Sequence, residues 1–145
     1  MKENNKIYIY VTKNSMVLLI PGTEAEVESI ISSNRLVVVD FSATWCGPCK
    51  VMTPKFEELS EKYSNSIVCV KVDIDQLADF ASKSSIRSVP TFNFYYQGEV
   101  VGSVVGAGYS ELANKMATFE ANIANYRPIT STGSATVRTS SPTSK

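Results

Sequence analysis

Two cysteines lie at the junction between a buried-strand pattern and a helical pattern, in the segment Trp45-Cys46-Gly47-Pro48-Cys49. The run 36–41 that precedes them is almost entirely apolar, which is typical of a strand buried on both faces. The segment 50–63 that follows has the spacing of polar and apolar residues expected of a helix. If Cys46 opens that helix, Cys49 lies on the same face and the two sulfurs come close. A disulfide at this junction can form and break without unfolding the chain.

The start of the predicted helix favours negative charge at Cys46, because the first backbone N–H groups are unpaired and the helix dipole is positive there. The thiolate is the nucleophilic form of cysteine, so we expect Cys46 to be the reactive thiol. We expect Cys49, one turn further on, to be more buried and protonated. Pro48 suits a first helical turn, where a missing N–H costs little, and Gly47 permits close backbone approach by a partner.

The main alternative for two cysteines at this spacing is half of a zinc site. Structural zinc requires four ligands, and the chain offers one further cysteine, Cys69, and no histidine. The ligand count therefore favours the absence of a metal. A purely structural disulfide is also disfavoured, because a loop this short removes little chain entropy. Cys69 itself is interpreted as a buried core thiol, since free cysteine behaves as a small hydrophobic residue, and no sequence feature supports a regulatory role.

Charge and composition exclude several functions. The 145-residue chain has 14 basic and 14 acidic side chains and a formal net charge of zero, so no basic surface is predicted for nucleic acid. The apolar run 16–20 is too short for a secretory signal, and no stretch reaches the length of a membrane span. Three cysteines do not make a disulfide framework, so the close pair indicates redox chemistry in a reducing compartment. We expect a cytoplasmic monomer that does not bind membranes.

The first half of the chain alternates strand and helix patterns. Residues 16–20 form a predicted strand, and Thr23 with Glu26 has the spacing of a capping box at the start of a helix. The buried strand 36–41, the cysteine helix and a further buried strand over 67–72 follow. This order is a βαβα beginning, as in folds with a sheet covered by helices on both faces.

The second half contains a predicted hairpin and a last helix. The run 92–96 is followed by the turn Gln97-Gly98 and a second strand over 100–105, which indicates an antiparallel pair. Ser110 is predicted to cap the helix that follows. The pattern therefore indicates an α/β fold with a mixed sheet.

The two ends of the chain differ in composition from the segment between them. Residues 1–6 are polar and 7–11 is β-branched and aromatic; composition leaves open a short strand or a disordered leader. Residues 126–145 are rich in Ser and Thr and have too little apolar surface to offset the entropy of ordering. We predict a disordered tail there.

The segment Val39 to Lys50 resembles the active-site signature of the thioredoxin family in its eukaryotic form, and the likeness extends over residues 16–125. The resemblance therefore implies a domain over residues 16–125 that is preceded by an N-terminal extension, residues 1–15. The resemblance implies a thioredoxin fold, with a central five-stranded mixed sheet flanked by four helices. It also implies a general protein-disulfide reductase in which Cys46 attacks a substrate disulfide and Cys49 resolves the mixed disulfide. Recycling by an NADPH-dependent thioredoxin reductase is implied as well. No cofactor is predicted for this chain, which has no nucleotide-binding glycine motif.

The resemblance assigns roles to two charged residues near the thiols. Asp40 interrupts an apolar strand, where an unpaired carboxylate is costly, and it matches the residue that accepts the proton of Cys49. The alternative is an aspartate at a strand end that caps or reaches solvent. Lys71 matches a residue that offsets the charge of this aspartate in many relatives. A solvated lysine at a strand edge is the alternative for Lys71.

The resemblance also predicts the surface that meets a substrate peptide. Pro90 matches the cis-proline of the family, which faces the disulfide, and only X-Pro bonds adopt cis at modest cost. Trp45 and Val89, with the loop at Gly106, would form an apolar rim. The predicted substrate-binding residues are Trp45, Gly47, Pro48, Val89, Pro90 and Gly106.

Two other functions remain open at this point. The same fold serves disulfide isomerases, which typically carry His where this chain has Pro48, so the sequence favours a reductant. A non-enzymatic binding subunit, docking a partner through the N-terminal extension or the tail, is the alternative from a different class. Disulfide reduction with a reductase and NADPH would distinguish these functions.

Overall fold

A computed structural model describes residues 8–11 and 17–122, with side chains over residues 18–122. The predicted domain bounds at residues 16 and 125 and the predicted tail 126–145 lie outside the described residues. The elements are β1 (Tyr8–Val11), β2 (Val17–Ile20), α1 (Glu24–Ser33), β3 (Leu36–Ser42), α2 (Gly47–Lys62), β4 (Val68–Asp73), α3 (Ala78–Lys83), β5 (Thr91–Tyr96), β6 (Glu99–Val105) and α4 (Tyr109–Ala121).

The strands form one mixed sheet in the order β1-β2-β4-β3-β5-β6. Strands β2, β4 and β3 run parallel, while β5 and β6 are antiparallel to their neighbours. These five strands and four helices confirm the predicted thioredoxin fold. Strand β1 adds a sixth, antiparallel member at the β2 edge, where Tyr8 pairs with Ile20 and Val11 with Val17. The composition of residues 7–11 had left this strand and a disordered leader equally open.

Strand β3 lies between β4 and β5 and is buried along its whole length. Because side chains alternate across a strand, Leu36 and Val38 enter one core while Val37 and Val39 enter the other. Asp40 is on the same face as Val38. The strand therefore directs one carboxylate into the apolar layer beneath α2.

Helices cover both faces of the sheet. Helices α2 and α4 fill one core with buried side chains that include Met52, Phe56, Leu112 and Met116. Helices α1 and α3 cover the opposite face. In the described part of the chain, no helix is both long and apolar enough to cross a membrane. Helix α2 is thus packed against the sheet, and the two cysteines at its start lie near the end of β3.

The predicted capping box is confirmed, whereas the predicted cap of the last helix is wrong. The N–H of Glu26 donates to Thr23 Oγ1 and the N–H of Thr23 donates to Glu26 Oε1, each at 3.2 Å. Helix α4 instead starts directly after Gly108, so Ser110 lies inside its first turn. The hydrogen bond from the N–H of Leu112 to the carbonyl of Gly108 begins the helix two residues before the predicted cap.

Candidate active site

Cys46 is the N-cap residue of α2, and Cys49 lies in the first turn. The two form a disulfide with their Cα atoms 5.2 Å apart. The N–H of Cys49 points at Cys46 Sγ at 3.1 Å, so a free helix N–H is directed at that sulfur. Pro48 occupies the start of the helix, as predicted, where its missing N–H leaves no bond unmade. This arrangement can stabilise a negative charge on Cys46 once the disulfide is reduced.

Both cysteines are buried, with 5% of Cys46 and 3% of Cys49 exposed. Cys49 was expected to be more buried than Cys46, but the difference between their exposed fractions is slight. Exposed neighbours flank them instead: Gly47 and Pro48 lie at the surface, and Trp45 is 66% exposed. The turn that carries the two thiols is therefore exposed, although the thiols themselves are buried.

The position of Trp45 is fixed by a residue that the sequence did not single out. Its indole N–H donates to Asp75 Oδ2 at 2.8 Å, and the N–H of Asp75 donates to Asp73 Oδ1 at 2.9 Å. Asp75 follows β4, the neighbour of β3, so the two loops meet at the same end of the sheet. The position of Asp73 and Asp75 directly after a predicted buried strand was the available signal, because the carboxyl ends of parallel strands share an edge.

The opposite wall of the site is the segment around Pro90. The peptide bond between Val89 and Pro90 is cis, as expected, and the carbonyl oxygen of Val89 lies 3.7 Å from Cys46 Sγ. The N–H of Gly106 donates to the carbonyl of Pro90 at 2.8 Å, and Gly106 has φ +97°, a conformation that glycine adopts without strain. Val89 is half-buried in a small cluster with the two cysteines. The structure thus brings Val89, Pro90 and Gly106 together, with the Val89 carbonyl towards Cys46 Sγ.

Asp40 lies in the core on the α2 side of the sheet, with 1% of its surface exposed. Its Oδ1 is buried and has no hydrogen-bond partner among the described residues. Burial raises the pKa of this carboxyl from 3.8 to about 7, and the positive charge of Lys71 opposes that rise. Asp40 is therefore a core carboxyl, and the alternative of a solvated cap at the strand end is wrong.

Lys71 is the register partner of Asp40 across β3 and β4, and its side chain is half-buried. Its charge lowers the pKa of Asp40 less than burial raises it. The structure thus places Lys71 near the carboxyl, as the resemblance implied.

Cys69 is a free thiol inside β4, with 1% of its surface exposed. It lies between Leu18 and Val38 in the sheet register. Burial, and then the charge of Asp40, raise the pKa of the Cys69 thiol well above its usual range. Among residues 17–122, no three side chains of His, Cys, Asp or Glu are grouped so as to hold a metal ion.

Comparison with known proteins gives a consistent match. The sequence model of the Thioredoxin family matches residues 19–118. The chain is 45% identical over 112 residues to thioredoxin of Mus musculus, covering 77% of this chain and 99% of the relative. It is 43% identical over 99 residues to thioredoxin-1 of Schizosaccharomyces pombe, covering 68% and 92%.

Solved structures agree with the sequence relatives. A structure of Plasmodium falciparum thioredoxin superposes with a TM-score of 0.67 at 43% identity, covering 69% of this chain and 97% of that one. A thioredoxin from Nicotiana alata gives a TM-score of 0.67 at 37% identity, covering 71% and 92%. The chain therefore belongs to the thioredoxin family, and it is a thiol-disulfide oxidoreductase that acts as a protein-disulfide reductase through the Cys46–Cys49 pair.

Proposed function

We propose that the chain reduces protein disulfides in two displacement steps. The thiolate of Cys46 attacks one sulfur of the substrate disulfide, and the other substrate sulfur leaves as a thiolate that takes up a proton. The thiolate of Cys49 then attacks Cys46 Sγ, which releases the second substrate thiol. The substrate gains two electrons and the chain is left with its own disulfide. The observation that carries this proposal is the disulfide at the N-terminus of α2, with a helix N–H directed at Cys46 Sγ.

Asp40 supplies the base for the second step in this proposal. Cys49 must lose its proton before it can attack, and the catalytic group best suited to accept it has a pKa near the working pH. Asp40 meets that condition, because burial raises its pKa to about 7 and leaves Oδ1 without a partner among the described residues. Lys71 acts as a charge partner that limits the rise in pKa.

The substrate peptide binds across the turn and the cis-proline wall. Trp45, Gly47 and Pro48 present an exposed surface on one side of Cys46. Val89, Pro90 and Gly106 form the other side, with the Val89 carbonyl 3.7 Å from Cys46 Sγ. An extended peptide between these walls would place its disulfide against Cys46.

Reduction of the chain itself requires an external electron donor. We propose an NADPH-dependent thioredoxin reductase in the cytoplasm, so that the chain carries electrons to substrate disulfides as a monomer and supports cell redox homeostasis. A reactive cysteine pair without a disulfide framework suits a reducing compartment. Light scattering would test the monomeric state, and microscopy of the tagged protein would test its location.

The test of the proposed function is reduction of insulin by the chain with NADPH and a thioredoxin reductase. We expect steady turnover, and the Cys49→Ser variant should accumulate covalent substrate complexes joined through Cys46. If a thioredoxin reductase reduces the chain but insulin is not reduced, the proposed protein-disulfide reductase activity is rejected. Complexes joined through Cys49 in a Cys46→Ser variant would reject the order of attack. Equilibration with glutathione adds a check on direction, since a potential as oxidising as that of an isomerase contradicts a reductant.

A further inference from the structure

Helix α2 and the start of α4 carry a group formed by the exposed Val51 and Tyr109 and the half-buried Lys55, which we call the Lys55 patch. Lys55 Nζ lies over the ring of Tyr109, 5.1 Å from its centroid. Val51 is 56% exposed and precedes Lys55 by one helical turn, so the two share a face of the helix. Tyr109, at the start of α4, is 37% exposed. The patch thus combines an apolar side chain, an aromatic ring and a positioned positive charge.

The charge of Lys55 is held in place but is not neutralised. The attraction of a cation to an aromatic face orients the ammonium group and leaves its charge available. Neither Lys55 nor the exposed Lys50 forms an ion pair with another described residue. A charge that is both positioned and unpaired favours an acidic group on a binding partner.

The sheet order places charges of opposite sign on the two sides of the site. Asp75 follows β4 on one side of β3, and it is bonded to the indole of Trp45. Tyr109 follows β6 on the other side of β3 and carries Lys55 over its ring. The charges of Asp75 and Lys55 therefore lie on opposite sides of β3 in the sheet order.

We propose that the Lys55 patch selects substrate proteins by binding an acidic side chain near the attacked cysteine, with an apolar neighbour on Val51. Lys55 is nine positions after Cys46, about 13 Å along the helix axis at the usual rise per residue. An extended peptide spans that distance in about four residues. The selected side chain is therefore Glu or Asp about four residues from the cysteine. This inference rests on the proposed function and specifies its substrate class.

The test uses peptides with one cysteine, each joined to a second peptide by a disulfide. The peptides differ only at the fourth residue before or after the cysteine, which is Glu, Gln or Lys. Lys55→Gln removes the charge. Lys62→Gln is a matched control. Lys62 is on the same helix and also lies over an aromatic ring, 5.5 Å from the centroid of Tyr63. It is two helical turns further from the thiols than Lys55. The readout is kcat/KM for each peptide at low salt and at about 0.5 M KCl, where exposed charges are screened.

We expect the parent to prefer the Glu peptide over the Lys peptide by about two- to fivefold at low salt, the size of an exposed ion pair. The preference should fall at high salt, disappear in Lys55→Gln, persist in Lys62→Gln and reverse in Lys55→Glu. An equal preference in the parent and Lys55→Gln would overturn the proposal, as would its equal loss in Lys62→Gln. A parent that reduces none of the peptides, the neutral one included, would reject the proposed function and the patch with it.

Discussion

The Cys46–Cys49 pair and Cys69 are similarly hidden from solvent, yet their sulfur atoms have different surroundings. Their exposed fractions are 5%, 3% and 1%. The sulfur of Cys46 faces a helix N–H and the carbonyl of Val89 at the end of the sheet. Cys69 is inside β4 among apolar side chains, and burial raises the pKa of its thiol. Local donors and the helix N-terminus, rather than exposure, therefore distinguish the reactive thiols from the inert one.

Asp40 acts on the two thiol environments in different ways. It shares a core layer with Cys69, and its charge contributes to the raised pKa of that thiol. For Cys49 the same carboxyl is the proposed proton acceptor, because its own pKa of about 7 allows it to exchange protons at neutral pH. In the proposed cycle, one buried carboxyl thus adds to the raised pKa of one thiol and accepts the proton of another.

The largest expected effect separates the two kinds of thiol directly. Cys46→Ser should lower insulin reduction by more than about a thousandfold, because loss of a nucleophile removes the covalent step. Cys69→Ala should keep the rate within about twofold, since the Cys69 thiol takes no part in either displacement step of the proposed cycle. Steady-state turnover with reductase and NADPH measures both. A comparable loss of insulin reduction in Cys69→Ala would show that Cys69 is not separate from the reactive pair.

The next largest effect is the pH dependence of stability conferred by Asp40. Its pKa is raised from 3.8 in the unfolded chain to about 7 in the fold, so ionisation destabilises the fold as pH rises through this window. The stability present below pH 4 is lost by about pH 7, and the loss is on the order of 4 kcal/mol. Asp40→Asn should not show this loss. Urea unfolding of the oxidised parent and variant at pH 4 and pH 7.5 measures their free energies of unfolding. A difference between parent and variant that is the same at both pH values would contradict the raised pKa of Asp40.

The same variant should slow release from the mixed disulfide by about 10- to 100-fold at neutral pH, the low end of acid–base contributions. In the parent, release should accelerate as pH rises through about 7, because the ionised carboxyl is the proton acceptor. Asp40→Asn should lack this rise, while the first attack by Cys46 changes less. Single-turnover kinetics separate the two steps. Unchanged release in the variant would reduce Asp40 to a structural role.

The smallest effect concerns the packing of Cys69. Cys69→Ala should lower the free energy of unfolding by about 1 kcal/mol, the value of one buried group of this size. Denaturant unfolding at pH 7 measures it. A stabilising effect would show that the thiol is poorly accommodated between β2 and β3.

The sequence predicted the elements that carry strong local signals. The apolar run of β3, the turn at Cys46 and the Thr23 capping box each depend on residues that are close together in the sequence, and each is confirmed. The burial of Asp40 and the strand order, in contrast, came from the family resemblance, because the residues alone left open an aspartate that caps the strand end or reaches solvent.

What could not be predicted depends on contacts between distant segments. The bond between Trp45 and Asp75 requires that β3 and β4 be neighbours, and the partners are 30 positions apart in the chain. Helix α4 begins with the bond from the N–H of Leu112 to the carbonyl of Gly108, so Ser110 lies inside the first turn and the predicted cap did not form. Pairing with β2 decides the state of residues 8–11, which composition alone left open.

The difference in reactivity between Cys46 and Cys69 can be measured by alkylation of the reduced native protein with iodoacetamide, followed by mass spectrometry of each cysteine. The thiolate is the reacting form, and at pH 7 we expect Cys46 to react faster than Cys69 by a factor on the order of 100 or more. Unfolding in urea should bring the two rates close together, because the helix N-terminus and the buried strand are then lost. Similar rates for Cys46 and Cys69 in the native protein would contradict the account.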